Sequence, residues 1–194
     1  ALHMVLAAYA STGLAVAGIH AFMLLRGGAP AFHGKALAIA LFVGAPAAVL
    51  QPLSGDISAR LVADTQPVKL AALEGQFQTE RGAPLRIGGL PDEAAGTTRL
   101  AVEIPHGLSL LAYHRWNAEV KGLDDFPRAD WPPVAPVHVS FQLMVSLGTI
   151  MALVSLWAGW VAWRKHDVAG HATLLKALAV TAPFGFIATE LGWM

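Results

Sequence analysis

The chain has 194 residues, of which 55% are hydrophobic and 13% charged, and its mean hydropathy is +0.53. That is too apolar for a soluble domain of this size and points to a polytopic membrane protein; a formal net charge of zero gives no case for a nucleic-acid partner. Cysteine is absent, which excludes disulfides and thiolate-held metal or iron–sulfur sites and leaves His and Met as soft or borderline ligands.

Residues 2–25 form a nearly unbroken apolar run closed by Arg26, long enough to cross a hydrocarbon core of about 30 Å. Its Ala, Ser and Gly residues would let neighbouring helices approach closely. A short turn follows, then a second span over 36–53 with Pro46 inside it. Residues 136–163 make the third span, ending in Trp157, Trp160 and Trp163 and followed by Arg164 and Lys165. Residues 172–194 make the fourth. The domain organisation is therefore two transmembrane helices in 1–53, a polar loop over 54–135 and two more helices in 136–194. The expected fold is an all-α, polytopic membrane helical bundle with four transmembrane helices. No signal peptide or initiator Met is seen, and both ends lie inside apolar runs, which reads as a piece of a longer protein.

Sidedness follows from the short connections. Five basic residues lie outside the polar loop: Arg26, Lys35, Arg164, Lys165 and Lys176. All fall on the same side of the bilayer, which the positive-inside rule makes cytoplasmic. The polar loop over 54–135 is then expected on the outer face.

The polar loop holds eleven of the thirteen acidic and eight of the thirteen basic residues. A short helix is expected to begin at Gln66-Pro67-Val68-Lys69, capped by Asp64 or Thr65, with Pro67 in the first turn. Lys69 sits where the helix macrodipole disfavours a cation. Glu74 follows five residues later, about 140° round the helix, too far for an ion pair. Charges placed in this way suit a ligand; the competing reading is a solvated helix with ordinary surface charges. A strand over 100–104 and an amphipathic piece over 108–116 complete the loop, with both Lys69 and Glu74 expected on its water-exposed surface.

His3 lies roughly 34 Å above the inner end of the first span, and Met144 roughly 30 Å above that of the third. A His and a Met at one depth are a candidate axial pair for a haem, although a lone His or Met is more often packing. His138 is excluded as a partner of Met144 on one iron, since six residues put them about 240° apart on one helix. His20, His33, His166 and His171 are expected near the inner surface, mostly solvated. Glu190 is expected as a buried or interfacial carboxylate that either takes part in proton movement or marks the helix end.

The chain resembles subunit I of the cytochrome bd-type quinol oxidases, including the cyanide-insensitive branch. The residues that carry the resemblance are Gly55-Asp56, the run from Gln66 to Gly75, Ile104-Pro105, Gly122-Leu123, Phe141-Gln142-Leu143-Met144-Val145 and Glu190-Leu191-Gly192-Trp193. The resemblance implies a part of a respiratory terminal oxidase, a quinol:O2 oxidoreductase subunit. The polar segment would be its quinol-binding loop, with quinol as substrate and Lys69 and Glu74 as the catalytic pair. His3 and Met144 would be the axial iron ligands of the low-spin haem b. A second membrane subunit and the lipid bilayer are the implied partners, with no nucleic acid. The ligand of the high-spin haem b, and the site of haem d or a second haem b, belong to family spans that this sequence lacks, so the fragment alone is expected to be inactive toward O2. Gln142 stands where many members carry arginine, and Ala1 where tryptophan is common. The rival readings are a haem-binding membrane anchor or a polytopic transporter segment without quinol chemistry, and a non-functional truncated product.

Overall fold

The fold is that of a computed structural model describing residues 2–165 and 167–193, the Lys165 side chain excepted. The expectations attached to Ala1, His166 and Met194 lie outside the described residues. Two compact units appear among them: residues 2–54 with 144–193, and residues 55–143.

Among the described residues, four helical stretches are long and apolar enough to cross a membrane, as the all-α bundle requires. The first helix, α1 (Leu2–Leu25), buries a stripe of small and medium residues, Ala10, Gly13, Leu14, Ala17, Gly18 and Ala21. Their spacing of three and four puts them on one face. Pro30 opens α2 (Pro30–Thr65), where its missing N–H costs little. This helix keeps both Pro46 and Pro52 in its interior. It also runs twelve residues past Leu53, the end of the apolar run. The apolar run stops there because the residues turn polar; the helix continues because Asp56 and Arg60 pair one turn apart at 2.8 Å.

The third stretch, α5, spans Val134–Lys165. The fourth is broken: α6 (Ala172–Thr181) and α7 (Phe184–Leu191) meet at Ala182-Pro183, where an unbroken span was expected. Pro183 lacks the N–H that would continue the ladder, although Ala182 and Pro183 both keep right-handed helical backbone. Leu14, Ala17, Leu37, Leu41, Met151, Val161, Leu174 and Leu178 share one core, so α1, α2, α5 and α6 pack together. Only 22 to 33% of each apolar window is buried, so most of each span presents apolar side chains outward.

The unit of residues 55–143 contains α3 (Pro67–Glu74), α4 (Gly107–Tyr113) and six short strands. The strands are β1 (Glu80–Arg81), β2 (Leu85–Ile87), β3 (Leu90–Asp92), β4 (Thr97–Arg99), β5 (Val102–Ile104) and β6 (Glu119–Val120). They nest as antiparallel pairs: β3 with β4 innermost, β2 with β5 around it, and β1 with β6 outermost. Two small cores hold α3 in place. Leu70 packs with Ala63, Ala83, Leu108, Ala112 and Val120, while Ala71 and Ala72 pack with Phe77, Leu123, Val134 and Val137.

Candidate functional site

The site builds from α3. Gln66 is the residue at its N-cap and makes no side-chain cap, so neither Asp64 nor Thr65 has the expected capping role. Thr65 is instead the last residue of α2, and its hydroxyl donates to the Leu61 carbonyl at 2.6 Å. Pro67 is in the first turn. The helix ends at Glu74 because Gly75 takes the left-handed conformation, φ 61. The Gln76 N–H then donates to the Ala71 carbonyl (2.8 Å) and the Gly75 N–H to that of Ala72 (3.2 Å), a Schellman pair.

Lys69 and Glu74 leave this helix on different sides. Lys69 is exposed and forms no ion pair among the described residues. Glu74 is not on a water-exposed surface as expected; it is 2% exposed. The reason is that α3 is covered on both sides by the two small cores. Its Oε2 has no hydrogen-bond partner among the described residues. Burial pushes the Glu74 carboxyl from 4.5 up to about 7, and the nearby Arg86 guanidinium opposes that rise.

Arg86 on β2 is the basic group that the sequence did not single out. Its side chain is 14% exposed. Its Nε donates to Glu103 Oε1 at 3.0 Å, its Nη2 to Glu80 Oε1 at 3.5 Å, and its Nη1 to Gln76 Oε1. Fully buried Gln76 donates in turn to Glu80 Oε1 at 2.7 Å and to the Gln78 carbonyl at 2.7 Å. The buried carboxyl, a fixed guanidinium and an exposed amine on one short helix and strand are a set suited to taking a proton from a substrate and stabilising its anion. The signal that could have found Arg86 is weak: its partners come from three separate strands and turns.

His3 and Met144 lie in the other unit, on α1 and α5. His3 Nδ1 is 2.8 Å from Ser54 Oγ, and the Ser54 hydroxyl donates to the Gln51 carbonyl at 2.9 Å. That leaves Ser54 Oγ to accept, so His3 Nδ1 carries the proton and Nε2 presents its lone pair. A metal-ligating histidine is held in this way, through its other ring N–H. Gln51 Nε2 reaches His3 Nε2 at 3.3 Å, and Gln51 Oε1 is buried without a partner among the described residues. Met144 Sδ lies 3.1 Å from where a Cβ at Gly192 would stand, so glycine there leaves room for the thioether. An imidazole nitrogen with a lone pair, here facing the Gln51 amide, and a thioether are the donor set of a cytochrome-type haem. Ser54 and Gln51 were not singled out from the sequence, because they act on His3 across about fifty residues of chain.

The remaining candidates differ from expectation in part. Glu190 is exposed, which rules out the buried placement and leaves the interfacial one. His20 and His33 are half-buried and paired, with their Nδ1 atoms 2.9 Å apart. His171 Nδ1 accepts from the Leu174 N–H at 3.3 Å and so caps α6. Gln142 is not merely a neighbour of Met144: its side chain bonds the main chain of Arg86 and Gly88.

Comparison with known proteins places this geometry in context. The family model for cytochrome bd terminal oxidase subunit I matches residues 1–194. A Bacillus subtilis protein named as a cytochrome bd menaquinol oxidase subunit I is 39% identical over 99% of this chain and 44% of its own length. The Escherichia coli cytochrome bd-II ubiquinol oxidase subunit 1 is 28% identical over 99% of this chain and 50% of its own. Among solved structures, the bd oxidase from Geobacillus thermodenitrificans superposes with a TM-score of 0.85 at 32% identity, over 98% of this chain and 44% of that one. The chain thus spans half or less of the length of each relative.

Proposed function

Since the chain belongs to the family of cytochrome bd terminal oxidase subunit I, we propose that it contributes the quinol-oxidising site and the low-spin haem ligation of a respiratory oxidase. The observation that carries this reading is Glu74, a buried carboxyl with an unpartnered oxygen and a proton affinity raised to about 7. Two-electron oxidation of a quinol releases two protons. Ionised Glu74 accepts one at Oε2, a transfer that is most effective when its pKa lies near the working pH. Lys69, exposed and uncommitted to an ion pair, supplies positive charge to the developing quinolate oxygen. Arg86 holds Glu74 ionised for a larger part of the cycle. His3 Nε2 and Met144 Sδ are the residues that would hold a low-spin haem b, with Ser54 keeping the imidazole proton on Nδ1. When bound, that haem supplies one-electron redox chemistry.

The four spans sit in a bacterial plasma membrane, with residues 54–135 on the outer side. A second membrane subunit, the high-spin haem b and the haem d or second haem b lie outside these residues. The relatives' names carry both menaquinol and ubiquinol, so the substrate is assigned as a quinol without a ring type.

The decisive experiment uses the full-length oxidase. Lys69→Ala and Glu74→Ala should each cut quinol-driven oxygen consumption by roughly 100-fold per haem, with haem content unchanged. Normal rates in the double variant would leave only surface charges. Separately, His3→Ala or Met144→Leu should remove the reduced low-spin haem b band. A spectrum unchanged in either variant would overturn the ligand assignment.

A further inference from the structure

The last turn of a helix leaves carbonyls that need partners from elsewhere. At the end of α3, the carbonyls of Ala71 and Ala72 are filled by the Schellman pair. The Leu73 carbonyl is filled by a side chain from sixty-five residues further along, His138 on α5, at 2.8 Å from Nδ1. The other ring nitrogen, Nε2, is 3.0 Å from the carbonyl of Gly88, in the turn between β2 and β3. Carbonyls only accept, so a ring N–H donates to whichever of the two carbonyls it faces. His138 is 0% exposed, so no solvent competes for either bond.

One turn further along α5, Gln142 continues the same contact. Its Nε2 donates to the Arg86 carbonyl at 3.0 Å, and its Oε1 accepts from the Gly88 N–H at 3.1 Å. His138 and Gln142, four apart on one helix face, therefore grip the main chain of β2 and of the turn after it at three points. His138 alone reaches α3 as well. A Cβ built on Gly75 would stand 3.3 Å from its Nδ1. The ring thus lies against the backbone on both sides of Glu74.

We propose that His138 is a positioning residue for quinol oxidation: its ring ties the carbonyl before Glu74 to the turn that follows Arg86, and so fixes where the Glu74 carboxyl meets its substrate. The proposal rests on the reading of Glu74 as proton acceptor. Its physical motive is that Glu74 closes an eight-residue helix. Helix ends fray, and a carboxyl buried without a partner gains by turning out to water. A side chain locked to two carbonyls removes that escape for the backbone that carries it.

The test uses the full-length, haem-loaded oxidase in detergent and compares His138→Phe, Glu74→Gln and the double variant. Phe keeps a ring and removes both ring nitrogens. His138→Phe should lower quinol kcat/KM per haem by about 10-fold to 100-fold, as small misplacements of a reacting group do. Oxygen uptake from a one-electron donor that bypasses the quinol site should be unchanged, and so should the low-spin haem spectrum. In the Glu74→Gln background the same change should cost little more, because the two residues act as one unit. Wild-type quinol turnover in His138→Phe would overturn the proposal, as would an equal loss in both backgrounds. If Glu74→Gln alone is fully active, the reading of Glu74 fails by itself, without reference to His138. Should the Phe variant not assemble, His138→Asn, polar but too short to reach both carbonyls, carries the same comparison and the same outcomes.

Discussion

At the scale of single residues, Glu74 in its proposed role governs the pH behaviour. It accepts a proton only as carboxylate, and its pKa stands at about 7. Quinol kcat/KM should therefore rise roughly tenfold per pH unit below 7 and level off above it. Arg86 opposes the rise, so Arg86→Gln should move the limb to higher pH; a limb that stays or moves down would contradict that role. The same shift has a stability consequence. The folded pKa is raised above 4.5, so the contribution is fully present below pH 4.5 and is lost as pH climbs through about 7. Glu74→Gln should raise the melting temperature at pH 8, by the equivalent of about 3 kcal/mol at most, and leave it unchanged at pH 4. Of this, the sequence showed that Lys69 and Glu74 point apart, since helical angle alone decides it. The burial of Glu74 was not legible: the core that packs α3 joins Ala71 and Ala72 to Phe77, Leu123, Val134 and Val137, which are distant in the chain.

Elements were legible in proportion to their length. The four spans show in any long window, whereas strands of two or three residues fall below any period that a window can detect. The strand expected over 100–104 corresponds to β5, but the five others had no signal. Their pairing comes from the nested ladder, not from local alternation. Pro183 was a readable break that the hydropathy of the fourth span concealed. The most demanding junction is Gly75, with φ +61 and a Cβ position 2.5 Å from Thr98 Oγ1. Thr98 donates to the Gly75 carbonyl at 2.8 Å, so that oxygen is not free to move aside. Gly75→Ala should destabilise the loop unit by about 1 kcal/mol or more and lower quinol turnover along with it. A thermal unfolding midpoint equal to that of the parent would show that the helix end can be rebuilt.

At the scale of the whole molecule, the chemistry divides between two units, each with its own core. The candidate haem ligands belong to the spanning helices, and the candidate proton acceptor to the polar segment. Sidedness can be tested with single thiols, because these residues contain no cysteine. Ala95 is exposed in the β3–β4 turn, and Ala29 is exposed between α1 and α2. In an otherwise thiol-free oxidase, Ala95→Cys should react with a membrane-impermeant maleimide applied to spheroplasts, and Ala29→Cys should react only after lysis. The reverse pattern would invert the topology.

The contact between α1 and α2 has a consequence for which sequences can be reached from this one. A Cβ at Gly13 would stand 2.5 Å from Gly44 Cα, and a Cβ at Gly44 2.8 Å from the Gly13 carbonyl carbon. Backbone meets backbone there, so neither position can gain even a methyl while the other helix stays in place. A second substitution at the partner site brings no relief, because the obstacle is main chain and cannot be made smaller. Compensation would have to come from residues that set the helix spacing, such as Ala10, Ala17 and Ala40. The two glycines should therefore be the least variable pair in a saturation mutagenesis of these helices, and escape from either should arise only in combination with changes elsewhere along the seam.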